Sequence, residues 1–327
     1  MADYPHWEFL GFSYHENKNG QHAEMPKLIF LPRDIDSAQK IIAESECDLL
    51  LYLDLGMKFF SYLLAHARLA PIQCITGAHP TTSGIKNIDY FLSSAEMEIA
   101  SAADHYSEKL VLLATNPGSG PTPPENIPEF SKASLGLPEQ GNIYLFPHNL
   151  LKCHPDHWPI FSEILERDKN AQLIFFANPS ASSLGELFRN ILQQNLNTHQ
   201  IKRTHILTWQ DQVRFCRILE LADIVLDAIY FSMGSTAYLA LGLGIPVVTL
   251  ATDLMRGRGT LGKYNQLEIS DCITNSSAEY IELALKIAQN KAFRQILQNK
   301  IKEKNQRLKN LKPATISLGQ WLEEKLL

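Results

Sequence analysis

The chain has 327 residues, of which 45% are hydrophobic and 20% charged, and a formal net charge of −5, a balance that fits a globular protein with room for two domains of ordinary size. The acidic excess argues against a general nucleic-acid binder, which carries surplus lysine and arginine. Cys47, Cys74, Cys153, Cys216 and Cys272 stand singly with no C-x-x-C pair, so neither a zinc site nor a disulfide framework is indicated, and reduced thiols in a cytoplasmic protein are expected.

The first residues, Met1 to His22, lack the basic start and apolar stretch of a signal peptide. The apolar runs, roughly 4 to 8 residues long, are too short to span a bilayer, so no membrane partner is expected. Strand-like runs then alternate with helix-like stretches. Leu28–Leu31 reads as a strand, followed by an N-cap signal at Asp36 and Ser37 and a helix through Ile42. Asp48–Leu53, Pro71–Thr76, Tyr90–Ser93 and Lys109–Leu113 are further strands, with a helix at Phe59–Ala67. The stretch NPGSGPTPPENIP, Asn116–Pro128, holds five prolines and two glycines, cannot form a regular element and is the best candidate for a domain boundary or a long surface loop. Beyond it the pattern restarts, with strands at Ile143–Phe146, Leu173–Ala177, His205–Thr208, Ile224–Leu226 and Pro246–Leu250 and helices at Trp158–Glu166 and Leu184–Gln193. The tail from Ala278 is helical, broken by Pro313. This alternation predicts α/β architecture: two Rossmann-like lobes with parallel sheets, over residues 1–135 and 136–311, and a C-terminal helix over 312–327.

Ligands of open parallel sheets sit beyond the carboxyl ends of the strands, so four segments there are candidates. In FSMGSTAYLALGLGIPVVT, Phe231–Thr249, Gly234, Ser235 and Thr236 open an apolar helix. They either cap that helix or leave its N–H groups for a phosphate. In LMRGRGTLGK, Leu254–Lys263, Arg256 and Arg258 stand among glycines. The glycines let a backbone approach a ligand and the guanidinium suits a phosphate; the alternative is a solvated basic loop. In FPHNLLKCHPD, Phe146–Asp156, Lys152 follows a strand end and can serve as a point charge on a diphosphate. His148 and His154 have no carboxylate cluster or H-x-x-x-H spacing to make a metal site, and structural or surface positions are expected for them. In LAPIQCITGAHPTTSG, Leu69–Gly84, His79, Thr81, Thr82 and Ser83 form either a functional loop or a structural turn.

The order of these blocks carries a resemblance. AHPTTSGIKNIDYF followed by HYSEKLVLL, then PHNLLKCHPD, LADIVLD, GSTAYLALGLGIPVVTL and LMRGR resemble, in register, the O-linked N-acetylglucosamine transferases of glycosyltransferase family 41, with the bacterial SPINDLY-type members most similar. The resemblance implies a GT-B fold. It also implies inverting, metal-independent transfer of a sugar, N-acetylglucosamine or a hexose, from a UDP donor to a protein acceptor, with no resident cofactor. By the same resemblance Lys152 contacts the donor diphosphate, with Asn149 beside it. Gly234, Ser235 and Thr236 form the phosphate-binding helix start. Arg256 and Arg258 lie beside the nucleotide and Phe215 against the uridine. His79 and the loop Thr81, Thr82, Ser83 and Gly84 stand on the acceptor side, with His79 and Lys152 as the catalytic pair.

Three departures accompany it. Family members open the first lobe with a strand and a histidine-rich loop that His6, His15 and His22 do not reproduce, so a shortened first lobe is expected. Leu239 stands where the family places an acidic residue for the ribose, a loss of about 1–3 kcal/mol of donor binding. The usual glutamine before the diphosphate lysine is His148 or Asn149. The competing readings are a catalytically silent nucleotide-sugar-binding or protein-interaction module, and a GT-B enzyme acting on glycans or lipid-linked sugars. A partner protein or a homo-oligomer would cover the sheet edge left by a shortened lobe.

Overall fold

A computed structural model of the chain describes residues 7–14, 27–77, 79–116, 118, 120–177 and 182–326; His6, His15 and His22 lie outside the described residues. In chain order the strands are β1 (Gly11–Ser13), β2 (Leu28–Phe30), β3 (Leu49–Tyr52), β4 (Ile72–Thr76), β5 (Tyr90–Ser94), β6 (Lys109–Leu113), β7 (Asn142–Leu145), β8 (Ala171–Ala177), β9 (Thr204–Thr208), β10 (Ile224–Leu226), β11 (Val247–Leu250) and β12 (Ile273–Thr274). The helices are α1 (Ile35–Ala43), α2 (Phe59–Ala65), α3 (His157–Arg167), α4 (Ser182–Asn195), α5 (Thr198–Ile201), α6 (Gln212–Leu221), α7 (Ser235–Gly242), α8 (Gly259–Leu267), α9 (Ser277–Gln289), α10 (Lys291–Lys304) and α11 (Lys312–Leu326). Among the described residues no helix is long and apolar enough to cross a membrane.

The chain divides into two compact units, Met1–Ala95 with Ile99–Pro117 and Lys312–Leu327, and Glu96–Glu98 with Gly118–Leu311. The division falls inside the proline-rich candidate Asn116–Pro128, at its start rather than near residue 135. The described residues of that segment form no ladder, and from Gly118 on they pack within the second unit: Tyr238 donates its hydroxyl to the Gly118 carbonyl at 2.9 Å and Gln212 donates to the Thr122 carbonyl at 3.2 Å. A Cβ on Gly242 would come within 2.9 Å of Pro123.

In the first unit β3, β4, β5 and β6 form a parallel sheet in that order, and β1 pairs with β2 in a separate parallel ribbon. The central strands are apolar, with Cys74, Ile75, Phe91 and Leu92 buried, as expected where helices cover a parallel sheet. The last helix is not a free appendage. α11 lays Leu318 and Trp321 on Cys74, Leu92 and Leu113, the Trp321 ring stands edge-on to Tyr90 at 5.1 Å, and Ala114 N–H donates to Ser317 Oγ at 3.1 Å. Pro313 sits in the first turn of α11, where a missing N–H costs nothing; the helical tail is interrupted before it, at a short 3-10 stretch, Asn305–Lys309. The cap of α1 lies two residues earlier than expected: Asp34 accepts from Ser37 N–H at 2.9 Å.

The second unit holds a six-stranded parallel sheet in the order β12-β11-β10-β7-β8-β9. From β7 the chain winds outward through β8 and β9, then returns to β10 on the other side of β7 and winds outward again. The reversal between β7 and β10 is the topological switch point of a doubly wound sheet, where open α/β sheets bind ligands. Phe146, Phe161 and Phe175 meet in pairs at 5.3–5.5 Å under β7 and β8.

Candidate active site

Both segments that leave the switch point carry predicted residues. The β7 exit continues through Phe146, Pro147 and His148 into a 3-10 turn, Leu150–Lys152, capped by Asn149, whose Oδ1 accepts from Leu151 N–H at 3.0 Å. Asn149 is exposed and Lys152 half-buried. The Lys152 ammonium lies 4.1 Å from the Phe231 ring centroid and donates to the Ser232 carbonyl at 3.4 Å, so the β7 turn touches the loop that leaves β10. Burial pushes the Lys152 pKa below the usual lysine value, opposed by the charge of Asp227.

The β10 exit is organised by Asp227, which is fully buried. Its Oδ1 accepts from Met233 N–H at 2.9 Å; its Oδ2 accepts from Ser232 Oγ at 2.5 Å and Thr249 Oγ1 at 2.8 Å. Ser232 Oγ in turn accepts from Thr260 N–H at 2.9 Å. Burial raises the carboxyl pKa, opposed by the hydrogen bonds from Ser232, Thr260, Thr249 and Met233. One carboxylate thus ties the β10 loop, the end of β11 and the start of α8 together. Two neutral histidines hold the same loop from behind: Ala228 N–H donates to His148 Nε2 at 3.0 Å and Ile229 N–H to His157 Nε2 at 3.1 Å. Burial pushes both imidazoles down, His148 well below its usual value and His157 to about 4. His148 is structural, as expected for a histidine without metal partners; His154 is exposed, its ring 4.4 Å from Tyr230.

This frame aims α7. Gly234 is the N-cap residue and no side chain caps the helix, so the plain-capping reading of Ser235 and Thr236 does not hold. Gly234 and Ser235 are exposed, and a Cβ added to Gly234 would meet nothing within 4 Å. Open space before an uncapped helix start, beside a lysine, is an arrangement that can accept an anion.

The arginine segment differs from a ligand-cradling loop. Met255–Gly257 is a 3-10 turn and α8 begins at Gly259. The glycines serve close packing: a Cβ on Gly257 would lie 2.1 Å from Thr252 Oγ1, on Gly259 2.6 Å from the Met233 carbonyl, and on Gly262 2.2 Å from Met97 Cγ. The Arg258 guanidinium donates to the carbonyls of Met97 and Thr252, whereas Arg256 is exposed. Phe215, on α6, lies 5.5 Å from Phe176 and packs against the core. Leu239 is 7% exposed and joins the same core, so α7 offers no carboxylate there.

His79 and residues Thr81–Gly84 belong to the first unit and lie on its β4–β5 connection. His79 follows β4 by three residues and packs on Gly56, where a Cβ would come within 2.5 Å of its Cδ2. Thr82 and Ser83 are anchored instead at the residue before β6. The buried Glu108 accepts from Ser83 N–H at 2.7 Å, from Thr82 Oγ1 at 2.7 Å and from Ser83 Oγ, and Thr82 Oγ1 also pairs with Ser107 at 2.8 Å. These two hydroxyls act as a structural brace, and Gly84 supplies a left-handed turn at φ +66°.

Residues 113–313 match the family described as Glycosyl transferase family 41. The chain belongs to glycosyltransferase family 41. It is 28% identical over 278 residues to a protein of Arabidopsis thaliana named probable UDP-N-acetylglucosamine–peptide N-acetylglucosaminyltransferase SEC, covering 82% of this chain and 28% of the relative. It is 24% identical to a SPINDLY protein of Solanum lycopersicum with the same enzyme name, covering 68% and 24%. The chain therefore spans about a quarter of the length of these curated relatives. Among solved structures it matches a mutant Thermobaculum terrenum O-GlcNAc transferase with TM-score 0.78 at 20% identity, over 97% of this chain and 60% of that one. It also matches Anabaena HepE in complex with UDP and glucose with TM-score 0.61 at 10% identity, over 96% and 91%. These place the fold among GT-B glycosyltransferases.

Sequence reasoning missed the parts played by Asp227 and His157 in holding the β10 loop. Asp227 alone left a trace, a carboxylate directly after a buried strand run.

Proposed function

We propose that the second unit binds the diphosphate of a UDP-sugar at the β7–β10 switch point and that the chain transfers the sugar to a protein acceptor. The observation that carries this reading is the meeting of Lys152, from the β7 exit, with the Ser232 carbonyl directly before the open, uncapped start of α7. The names borne by the family relatives support the donor and acceptor classes. Charge builds on the leaving UDP as the acceptor oxygen or nitrogen attacks the anomeric carbon and the sugar–phosphate bond breaks. Lys152, the α7 N–H groups and the exposed Arg256 are the groups that would stabilise it, an electrostatic contribution that is usually the largest in catalysis. In this reading the attack comes from the face opposite the diphosphate, which inverts the anomeric centre. The donor is a substrate, no resident cofactor is involved, and the lysine and helix dipole take the part a metal plays elsewhere. His79 stands as the acceptor-side group, with Thr81 beside it.

The test is calorimetric titration with UDP of the wild-type chain and of Lys152→Ala, followed by turnover of UDP-N-acetylglucosamine. Binding that weakens at least tenfold in the variant is expected; equal affinity in both proteins would remove Lys152 from the site. Leu239 favours a second reading, a nucleotide-sugar-binding module without transfer, and donor binding with no release of UDP in the presence of protein acceptors would select it.

A further inference from the structure

Lys263 lies on α8, and only 4% of it is exposed. Burying an ammonium is costly unless its N–H groups are matched. Among the described residues one hydrogen-bond acceptor serves it, the Gly259 carbonyl at 3.1 Å, and one ring faces it, Tyr238 at 4.5 Å from the centroid. An ammonium has three donors, so two remain without an acceptor among the described residues.

The position of that ammonium gives the surplus a direction. Gly259 abuts the Met233 carbonyl, one residue before the α7 N-cap, so closely that a Cβ there would lie 2.6 Å from it. Tyr238 is on α7, one turn beyond Ser235. Lys263 therefore approaches the start of α7 from the α8 side, while Lys152 approaches it from the β7 side through Ser232. Asp227 and Lys152 both act on Lys263 electrostatically, Asp227 favouring its charge and Lys152 opposing it, and burial dominates, pushing its pKa to about 8. Two partly desolvated cations flank one uncapped helix start, and the buried Asp227 carboxylate that acts on both already accepts hydrogen bonds from Met233, Ser232 and Thr249, which leaves positive charge for an anion to satisfy.

We propose that Lys263 is a second cation of the donor site, neutralising the diphosphate together with Lys152. The inference rests on the reading of the second unit as a UDP-sugar site and adds a residue to it. A purely structural Lys263 would hold α8 against Tyr238 and would be indifferent to the number of phosphates on the ligand.

The experiment compares UDP, UMP and uridine as calorimetric probes at about pH 7 with the wild-type chain, Lys263→Met and Lys263→Gln. The glutamine amide retains a donor for Gly259 and removes only the charge, so it guards against loss of folding, which thermal melting monitors. In the wild type UDP should bind at least tenfold more tightly than UMP. In both variants that ratio should fall at least threefold while uridine affinity stays within twofold. An unchanged UDP-to-UMP ratio in folded Lys263→Gln overturns the proposal. A wild-type chain that binds no UDP overturns the donor-site reading itself, and the proposal with it.

Discussion

The Asp227 carboxylate accepts a hydrogen bond from the backbone N–H of Met233, six residues on, at 2.9 Å. This closes the loop from β10 into a rigid turn before α7 begins. The same carboxylate receives Thr249 Oγ1 at 2.8 Å, and every atom involved is buried, so its partners are not replaceable by water. Thr249→Val keeps the shape and removes one donor to the carboxylate. A loss of about 1.5–3 kcal/mol is expected in urea unfolding, the range for hydrogen bonds to charged groups. A change below about 0.5 kcal/mol would show that the carboxylate does not depend on this partner.

The two neutral histidines make the second unit acid-labile. His157 has a pKa of about 4 in the folded chain against an ordinary value of 6.5, and that of His148 is also lowered. A depressed histidine takes up its proton more readily in the unfolded state, so folding is fully stable above about pH 6.5 and weakens as pH falls toward 4, by roughly 3 kcal/mol for His157 alone. The urea midpoint should drop sharply between about pH 7.5 and 5. His157→Gln should lose less over the same interval; an equal drop would assign the effect to other groups.

Glu108 gives the first unit a different pH dependence. Burial raises its pKa, but the bonds from Ser83 and Thr82 outweigh burial and the net shift is downward. Its contribution is thus complete above the ordinary glutamate value and lost only as pH falls below it. Glu108→Gln should cost about 1–3 kcal/mol near neutral pH and disturb the loop that carries His79. Imidazole NMR signals of His79 that stay in place in the variant would separate the brace from His79.

Deleting α11 should expose Cys74, Leu92 and Leu113, against which Leu318 and Trp321 pack. Hydrogen exchange of the β5 and β6 amides should accelerate in a chain ending at Leu311, while β7 and β10 stay protected and UDP affinity stays within twofold. Unaltered protection in β5 and β6 would detach α11 from the first unit.

Much of this protein was legible in its sequence because parallel strands buried on both faces are written as continuous apolar runs. The run Ile224–Leu226, the small residues opening α7, and Lys152 after β7 were all located that way. β1 and β12, three and two residues long, carry too little pattern to be seen. Other features depended on tertiary structure because they join residues far apart in the chain. Sequence showed that Thr82 and Ser83 carry hydroxyls, but the Glu108 carboxylate, 26 and 25 residues away, engages them. Arg256 and Arg258 look alike in sequence; packing turned one guanidinium toward the Met97 and Thr252 carbonyls and left the other exposed. Local periodicity determines which segments become strands and helices. Which polar groups are used up inside the fold, and which remain for a ligand, is decided only when the sheet order brings distant segments within hydrogen-bonding distance.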